Sequence, residues 1–139
     1  MYVDTTIFMY AMGAESRFKE PCARILRAGA ADRTVLVTSA ETLQEVLHRY
    51  RSIGRDNEIK PTFEAIAASV QRILPVTADD VEEARQLGER IPGGSGVSAR
   101  DLIHAAVARR HGLREILTVD AGFSSIPGVL AVGPLEWTQ

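Results

Sequence analysis

Thiol chemistry is almost missing from this chain, which carries one cysteine, Cys22. No intrachain disulfide can form and no cysteine-based zinc site can be assembled, so a secreted disulfide scaffold and a zinc finger are both excluded. A reducing, cytoplasmic setting is expected. Lysine is nearly as scarce, occurring only at Lys19 and Lys60, and every other basic side chain is arginine. Neither lysine lies in a glycine-rich loop or an apolar run, which removes Schiff-base, phosphate-loop and general-base lysine chemistries. A serine nucleophile lacks its elbow, because no Gly-x-Ser-x-Gly occurs and Gly94-Ser95-Gly96 has the wrong spacing. Long apolar runs are absent too. The longest uncharged stretch near the start, Thr5–Ala14, is too short to span a bilayer, and Asp4 precedes it where a signal peptide would be basic. No membrane partner is expected. Charge of one sign is also lacking: 16 basic residues face 18 acidic ones, net −2, so no global field draws the protein onto a polyanion.

What remains is a chain of 139 residues with 45% hydrophobic content, enough for one compact domain over residues 1–139 that buries about 70% of its surface. Met1-Tyr2-Val3 reads as a short buried strand. Asp4-Thr5-Thr6 reads as a turn, and a helix follows through Met12, ended by Gly13. Pro21 is expected to open a second helix over Cys22–Ala28, with Gly29 as its stop and Cys22 inside its packed face. Val35-Leu36-Val37 is a β-branched run, and Thr38-Ser39 caps a helix over Ala40–Tyr50 with Leu43, Val46, Leu47 and Tyr50 as its core stripe. A polar loop over Arg51–Asn57 leads to a helix from Pro61 through Gln71. Ile73–Val76 is a strand, Thr77 caps an acid-led helix, and Pro92–Gly96 breaks it. Ser98 opens a helix to His111 or Gly112, Ile116–Val119 and Val129–Val132 are strands, and Asp120–Gly122 is a turn. Short apolar strands alternating with helices predict a three-layer α/β/α sandwich around a mostly parallel sheet.

In such sheets, sites form beyond the carboxyl ends of the strands. Asp4 and Asp120 each follow a strand directly, so both emerge at that edge. Two carboxylates brought together there repel unless a cation binds or a proton is retained, whereas each taken singly also suits a turn or a cap. Asp101 lies in the first turn of a helix that is apolar nearly all round, which marks the helix as buried. Ser98 and Asp101 have the spacing of a capping box, and that helix end also falls beside Asp4 and Asp120. One turn on, His104 reads more readily as a hydrogen-bonded core residue than as a ligand. Glu45 falls opposite the apolar stripe of its helix, which makes it a solvated-face residue by periodicity, although a cleft would serve as well as bulk water. Glu41, one turn nearer the strand, is an equal candidate on these grounds.

The segments Tyr2-Val3-Asp4-Thr5-Thr6, Ser39-Ala40-Glu41-Thr42-Leu43-Gln44-Glu45-Val46-Leu47, Ser98-Ala99-Arg100-Asp101-Leu102-Ile103-His104-Ala105-Ala106 and Leu117-Thr118-Val119-Asp120-Ala121-Gly122-Phe123 together resemble the PIN-domain nucleases. Within them the closest look is to the single-domain toxins of VapBC-type toxin–antitoxin pairs. The resemblance runs the whole chain. It implies that Asp4, Glu45, Asp101 and Asp120 form an acidic quartet that is both catalytic and metal-holding, which selects Glu45 over Glu41. It also implies Mg²⁺ or Mn²⁺ as cofactor, hydrolysis of structured RNA such as tRNA or rRNA by metal-activated water, a cognate antitoxin as partner, and a homodimer. One position departs from the pattern: Gly122 stands where family members often carry a further acid, which bears on a second metal site and leaves a PIN-like scaffold that binds without cutting as the rival reading. With a net acidic chain, arginines have to hold the phosphates, and Arg49, Arg51 and Arg55, or Arg109, Arg110 and Arg114, are the candidate patches.

Overall fold

Five short strands, β1 (Tyr2–Val3), β2 (Val37–Ser39), β3 (Arg72–Leu74), β4 (Glu115–Leu117) and β5 (Leu130–Val132), alternate with six helices in the computed structural model, which describes residues 1–139. The helices are α1 (Thr5–Met12), α2 (Lys19–Ala30), α3 (Ala40–Ser52), α4 (Ile59–Ser69), α5 (Ala78–Glu89) and α6 (Ala99–Arg110). All strand pairings are parallel and the order across the sheet is β3-β2-β1-β4-β5. Tyr2 lies opposite Val37 on one side and Ile116 on the other, and Val3 lies opposite Leu117.

Side-chain alternation along these strands builds the layers. Tyr2, Val37 and Ile116 point to one face, where they are buried against Ala84 and Leu87 of α5 and Ala105–Ala108 of α6. Val3 and Leu117 point to the other, against Ile7 and Phe8 of α1, Ile25 of α2, Val46 of α3 and Ile66 of α4. The expected three-layer α/β/α sandwich is therefore present, and its sheet is wholly parallel. Cys22 is buried in the second of these clusters, and burial pushes its thiol up to about 12, so it packs and does not react.

Several elements are offset from expectation by one to three residues: α1 starts at Thr5 inside the expected turn, α2 at Lys19 ahead of Pro21, α4 runs Ile59–Ser69, and β3 and β4 end at Leu74 and Leu117. Three further readings differ for a local reason. The strand expected at Val35–Val37 lies at Val37–Ser39, with Val35 exposed. Thr38 and Ser39 can enter a buried strand because their hydroxyls are satisfied, Thr38 donating to the Val3 carbonyl at 2.8 Å and Ser39 bonding the Tyr2 hydroxyl at 2.7 Å. Leu47 was expected in the core stripe of α3 and is 46% exposed, since Thr42, Val46 and Tyr50 set the inward face. Gly29 does not stop α2, which runs on to Ala30; the left-handed residue beyond it is Asp32, φ 54°. Gly29 is there for proximity: an added Cβ would sit 2.2 Å from the Ser69 carbonyl oxygen and 2.5 Å from Leu36 Cδ1. Gly29→Ala is expected to destabilise the fold by about 1–3 kcal/mol, and an unchanged denaturation midpoint would contradict this close approach.

On the other face, Thr77 and Asp80 form a capping box at the start of α5, and Asp80 also binds Arg110 of α6 at 2.7 and 2.9 Å. Burial raises this carboxyl, but the Arg110 guanidinium and the Thr77 N–H and hydroxyl outweigh it and hold the pKa below the ordinary aspartate value. A depressed folded-state pKa contributes stability above the unfolded value of about 3.9, and that contribution is lost as the pH falls through the folded value. Because Arg110 is partly exposed, the bridge is screened. Asp80→Asn is expected to lower stability by about 1–2 kcal/mol at neutral pH, with the gap to the parent protein closing in acid. Urea unfolding at a series of pH values reads this directly, and a gap that persists in acid would assign the loss elsewhere.

Candidate active site

The strand order reverses between β1 and β4, so the crevice beyond their carboxyl ends is the switch point of the sheet. Asp4 follows β1 there. It occupies the cap position of α1 with an extended backbone, yet its side chain makes no capping bond. Instead Oδ2 accepts hydrogen bonds from the Thr6 hydroxyl at 2.7 Å and the Thr118 hydroxyl at 2.8 Å. Thr118 in turn accepts the Asp120 N–H at 2.9 Å, so one buried hydroxyl ties the two strand-end acids together. Asp120 Oδ1 accepts the Gly122 N–H at 2.8 Å, which closes the turn expected there.

Asp101 combines its two sequence readings. It completes a capping box with Ser98, each backbone N–H reaching the other's side chain at 3.1 Å, and it is buried at the head of α6. Burial raises its carboxyl pKa, and although the Ser98 bonds act against this, the charges of Asp120 and Asp4 add to it and keep it high. That repulsion is the electrostatic sign that the three acids share one crevice.

Glu45 does not lie on a solvated face. Its side chain is 14% exposed and Oε1 lies 3.1 Å from His104 Nε2, so the side of α3 that periodicity assigned to water faces the crevice. His104 is fully buried and uses both ring nitrogens: Nδ1 meets the Tyr2 hydroxyl at 2.5 Å, and Nε2 faces Glu45, Thr5 Oγ1 at 3.3 Å and Asp4 Oδ1 at 3.6 Å. It is the hydrogen-bonded core histidine expected from the sequence. Burial lowers its pKa, but Glu45, Asp4 and Glu41 outweigh this and the net direction is upward. Glu41 is nearer the site than pattern implied: burial and the neighbouring Glu45 raise its carboxyl against the pull of His104 and Arg100. The hydroxyl frame of Tyr2, Thr6, Ser39 and Thr118 was not read from the sequence. Its one signal is a hydroxyl two residues from each strand-end acid.

The tightest group of metal-ligating atoms is Asp4, Glu45 and His104, all within 4.8 Å of one another, with Asp101 and Asp120 standing outside it. Each of the four carboxylates uses one oxygen for positioning: Oδ2 in Asp4 and Asp101, Oδ1 in Asp120, Oε1 in Glu45. The second oxygen of each accepts no hydrogen bond from the protein. Oriented carboxylates with an open oxygen suit a hard divalent cation, which takes oxygen donors. Gly122 adds no fifth acid, and a Cβ there would come within 3.0 Å of Asp120 Oδ1.

Residues 1–129 match the model of the PIN domain family. The chain is 40% identical over 127 residues to Ribonuclease VapC13 of Mycobacterium tuberculosis, covering 91% of this chain and 95% of that protein. Among solved structures, M. tuberculosis VapC20, described as a sarcin-ricin loop cleaving toxin, superposes with a TM-score of 0.71 at 24% identity over 88% of this chain and 92% of that one. VapBC2 from Rickettsia felis, bound to a DNA fragment from its promoter, gives a TM-score of 0.73 at 15% identity over 95% and 96%. These two likenesses show the fold. Together with the identity to the curated relative and the match over nearly the whole length, they place this chain in the PIN-domain family, in its VapC branch.

Proposed function

We propose that this protein is a Mg²⁺- or Mn²⁺-dependent endoribonuclease, the toxin of a type II toxin–antitoxin pair, acting on structured RNA in the cytoplasm and restrained by a cognate antitoxin. The observation that carries the reading is the set of four carboxylates at the switch point, each with one oxygen fixed and one open. The names of the curated relatives, which are ribonucleases, and of the VapC20 structure support RNA as substrate. No helix is long and apolar enough to cross a membrane.

Asp4, Glu45, Asp101 and Asp120 would hold the cation. When bound, a divalent cation supplies a more acidic water for attack on phosphorus and offsets charge at the phosphoryl oxygens. The chain's own part is orientation. Thr6 and Thr118 fix Asp4, Ser98 fixes Asp101, the Gly122 N–H fixes Asp120, and His104, anchored on Tyr2, fixes Glu45. Burial, with the charges of Asp120 and Asp4 added to it, favours the protonated form of Asp101 in the free protein. Cation binding therefore competes with a proton, and acid weakens it.

Expression without an antitoxin is expected to arrest bacterial growth, and Asp101→Asn is expected to abolish the arrest while leaving the capping box intact through the amide oxygen. Colony counts after induction check this. Equal arrest by the variant would favour the rival reading, a PIN-like scaffold that acts by binding. Sequencing the RNA ends that appear during arrest identifies the substrate.

A further inference from the structure

Most of the arginines expected to hold phosphate are engaged by acids. Arg51 pairs with Asp56, Arg55 with Glu58, Arg109 with Glu83 and Arg110 with Asp80, which removes most of both sequence-derived patches. Arg49 and Arg100 differ from these. Both are exposed, and both line the same cavity of about 530 Å³ as Thr5, Thr6 and Glu45. Neither makes an ion pair. Yet Arg100 is near enough to Glu41 and Glu45 to pull the carboxyl pKa of each downward. Guanidinium groups left free at the rim of an acid-lined crevice are completed by a ligand that brings anions of its own, and their planar forks match phosphate oxygens.

The cavity also has an aromatic wall. Tyr10 of α1 lines it, 37% exposed, with its ring held edge-on against Phe18 at 5.3 Å. A fixed, half-open ring is a stacking surface for an unpaired base. The volume is in the range of about 300–1,000 Å³ of small-ligand pockets, which suits a splayed nucleotide and not a duplex.

We propose that Arg49 and Arg100 hold the phosphates flanking the scissile bond of a single-stranded RNA segment, with one base laid against Tyr10. The assignment rests on the nuclease reading above and names the residues that give an acidic protein its grip on RNA.

The test is equilibrium binding of a short fluorescein-labelled oligoribonucleotide of mixed sequence to the full chain in EDTA, over a series of salt concentrations. Arg49→Gln and Arg100→Gln are each expected to weaken binding about 5- to 10-fold at moderate salt and to flatten the log–log salt slope by about 0.7 per lost contact. Arg100→Lys keeps the slope, and Arg85→Gln, on the remote helix α5 where Arg85 pairs with Glu82 and Glu89, changes nothing. Tyr10→Ala weakens binding about 10-fold at an unchanged slope, and a duplex of the same sequence binds the parent protein more weakly than the single strand. Parent-like slopes in both glutamine variants overturn the assignment, and if the parent protein still cuts RNA with Mg²⁺ the nuclease reading stands without it. A parent protein that neither binds nor cuts RNA overturns both. Variants that keep the RNA slope but lose affinity for an antitoxin give this cavity to a protein partner and overturn the inference as well.

Discussion

Asp4→Asn is expected to reduce metal-dependent RNA cleavage by about three orders of magnitude, equivalent to roughly 4 kcal/mol of transition-state stabilisation, with little change in thermal stability. The size of the effect follows from where the oxygen is lost. Asp4 Oδ2 takes two hydroxyls, from Thr6 and Thr118, and those bonds can pass to the asparagine Oδ1. The open Oδ1 is then replaced by an amide nitrogen, which cannot ligate a hard cation. Fold and frame survive while the charged ligand disappears. Chelation of the parent protein should have the same effect, and restoring Mn²⁺ or Mg²⁺ should reverse it in the parent protein alone. Antitoxin-free protein incubated with total cellular RNA and analysed on gels decides the point. Cleavage that survives both EDTA and Asp4→Asn would rule out the metal mechanism and point to another nuclease in the preparation.

The strand-end acids were legible in sequence because period-two burial and abrupt polarity changes mark where a buried strand stops. Asp4 directly follows β1 as expected, whereas β4 ends at Leu117 and Asp120 comes three residues on, tied to the same edge through Thr118; the apolar helix carrying Asp101 and its Ser98 cap were read correctly. Glu45 was not legible in the same way. A helical wheel separates apolar from polar faces, but it cannot tell a polar face that meets water from one that meets a crevice lined by other polar groups, and α3 does the second. The same blindness applied to β2, where Thr38 and Ser39 are strand residues with hydroxyls consumed by Val3 and Tyr2 across the sheet. Long-range partners, more than thirty residues away in sequence, decide both cases. Gly29 failed for a third reason: glycine serves as a helix stop and as a site of close approach, and only the position of α4 distinguishes them.

The acids of this site are mutually repulsive, and the neutral side chains around them offset that cost without discharging it. The Thr6 and Thr118 hydroxyls stabilise the Asp4 carboxylate and the Ser98 N–H stabilises that of Asp101, whereas burial and the charges of Asp120 and Asp4 still push Asp101 upward. Added divalent cation should therefore raise the melting temperature of the parent protein and have a smaller effect on Asp4→Asn.

His104→Ala is expected to lower stability by about 3 kcal/mol, about 10 °C in melting temperature for a domain of this size, and to reduce cleavage about 10- to 100-fold even where the variant is fully folded. The imidazole is completely buried, with its ring edge-on to Tyr2 at 5.5 Å and tilted against Phe123 at 6.4 Å. Truncation leaves a cavity between β1 and α6 and takes a partner from the Tyr2 hydroxyl, which retains only Ser39. It also frees Glu45 from its 3.1 Å contact, and Glu45 is the one acid of the four held by another helix's side chain and not by its own loop. His104→Gln separates the two consequences. A glutamine amide can still donate to Glu45 but fills less of the space beside Tyr2 and Phe123, so cleavage should recover more than stability does. Melting curves and cleavage rates measured well below the variants' melting temperatures compare the two. Equal losses in both properties for both variants would mean that His104 supports the core and has no part in orienting Glu45.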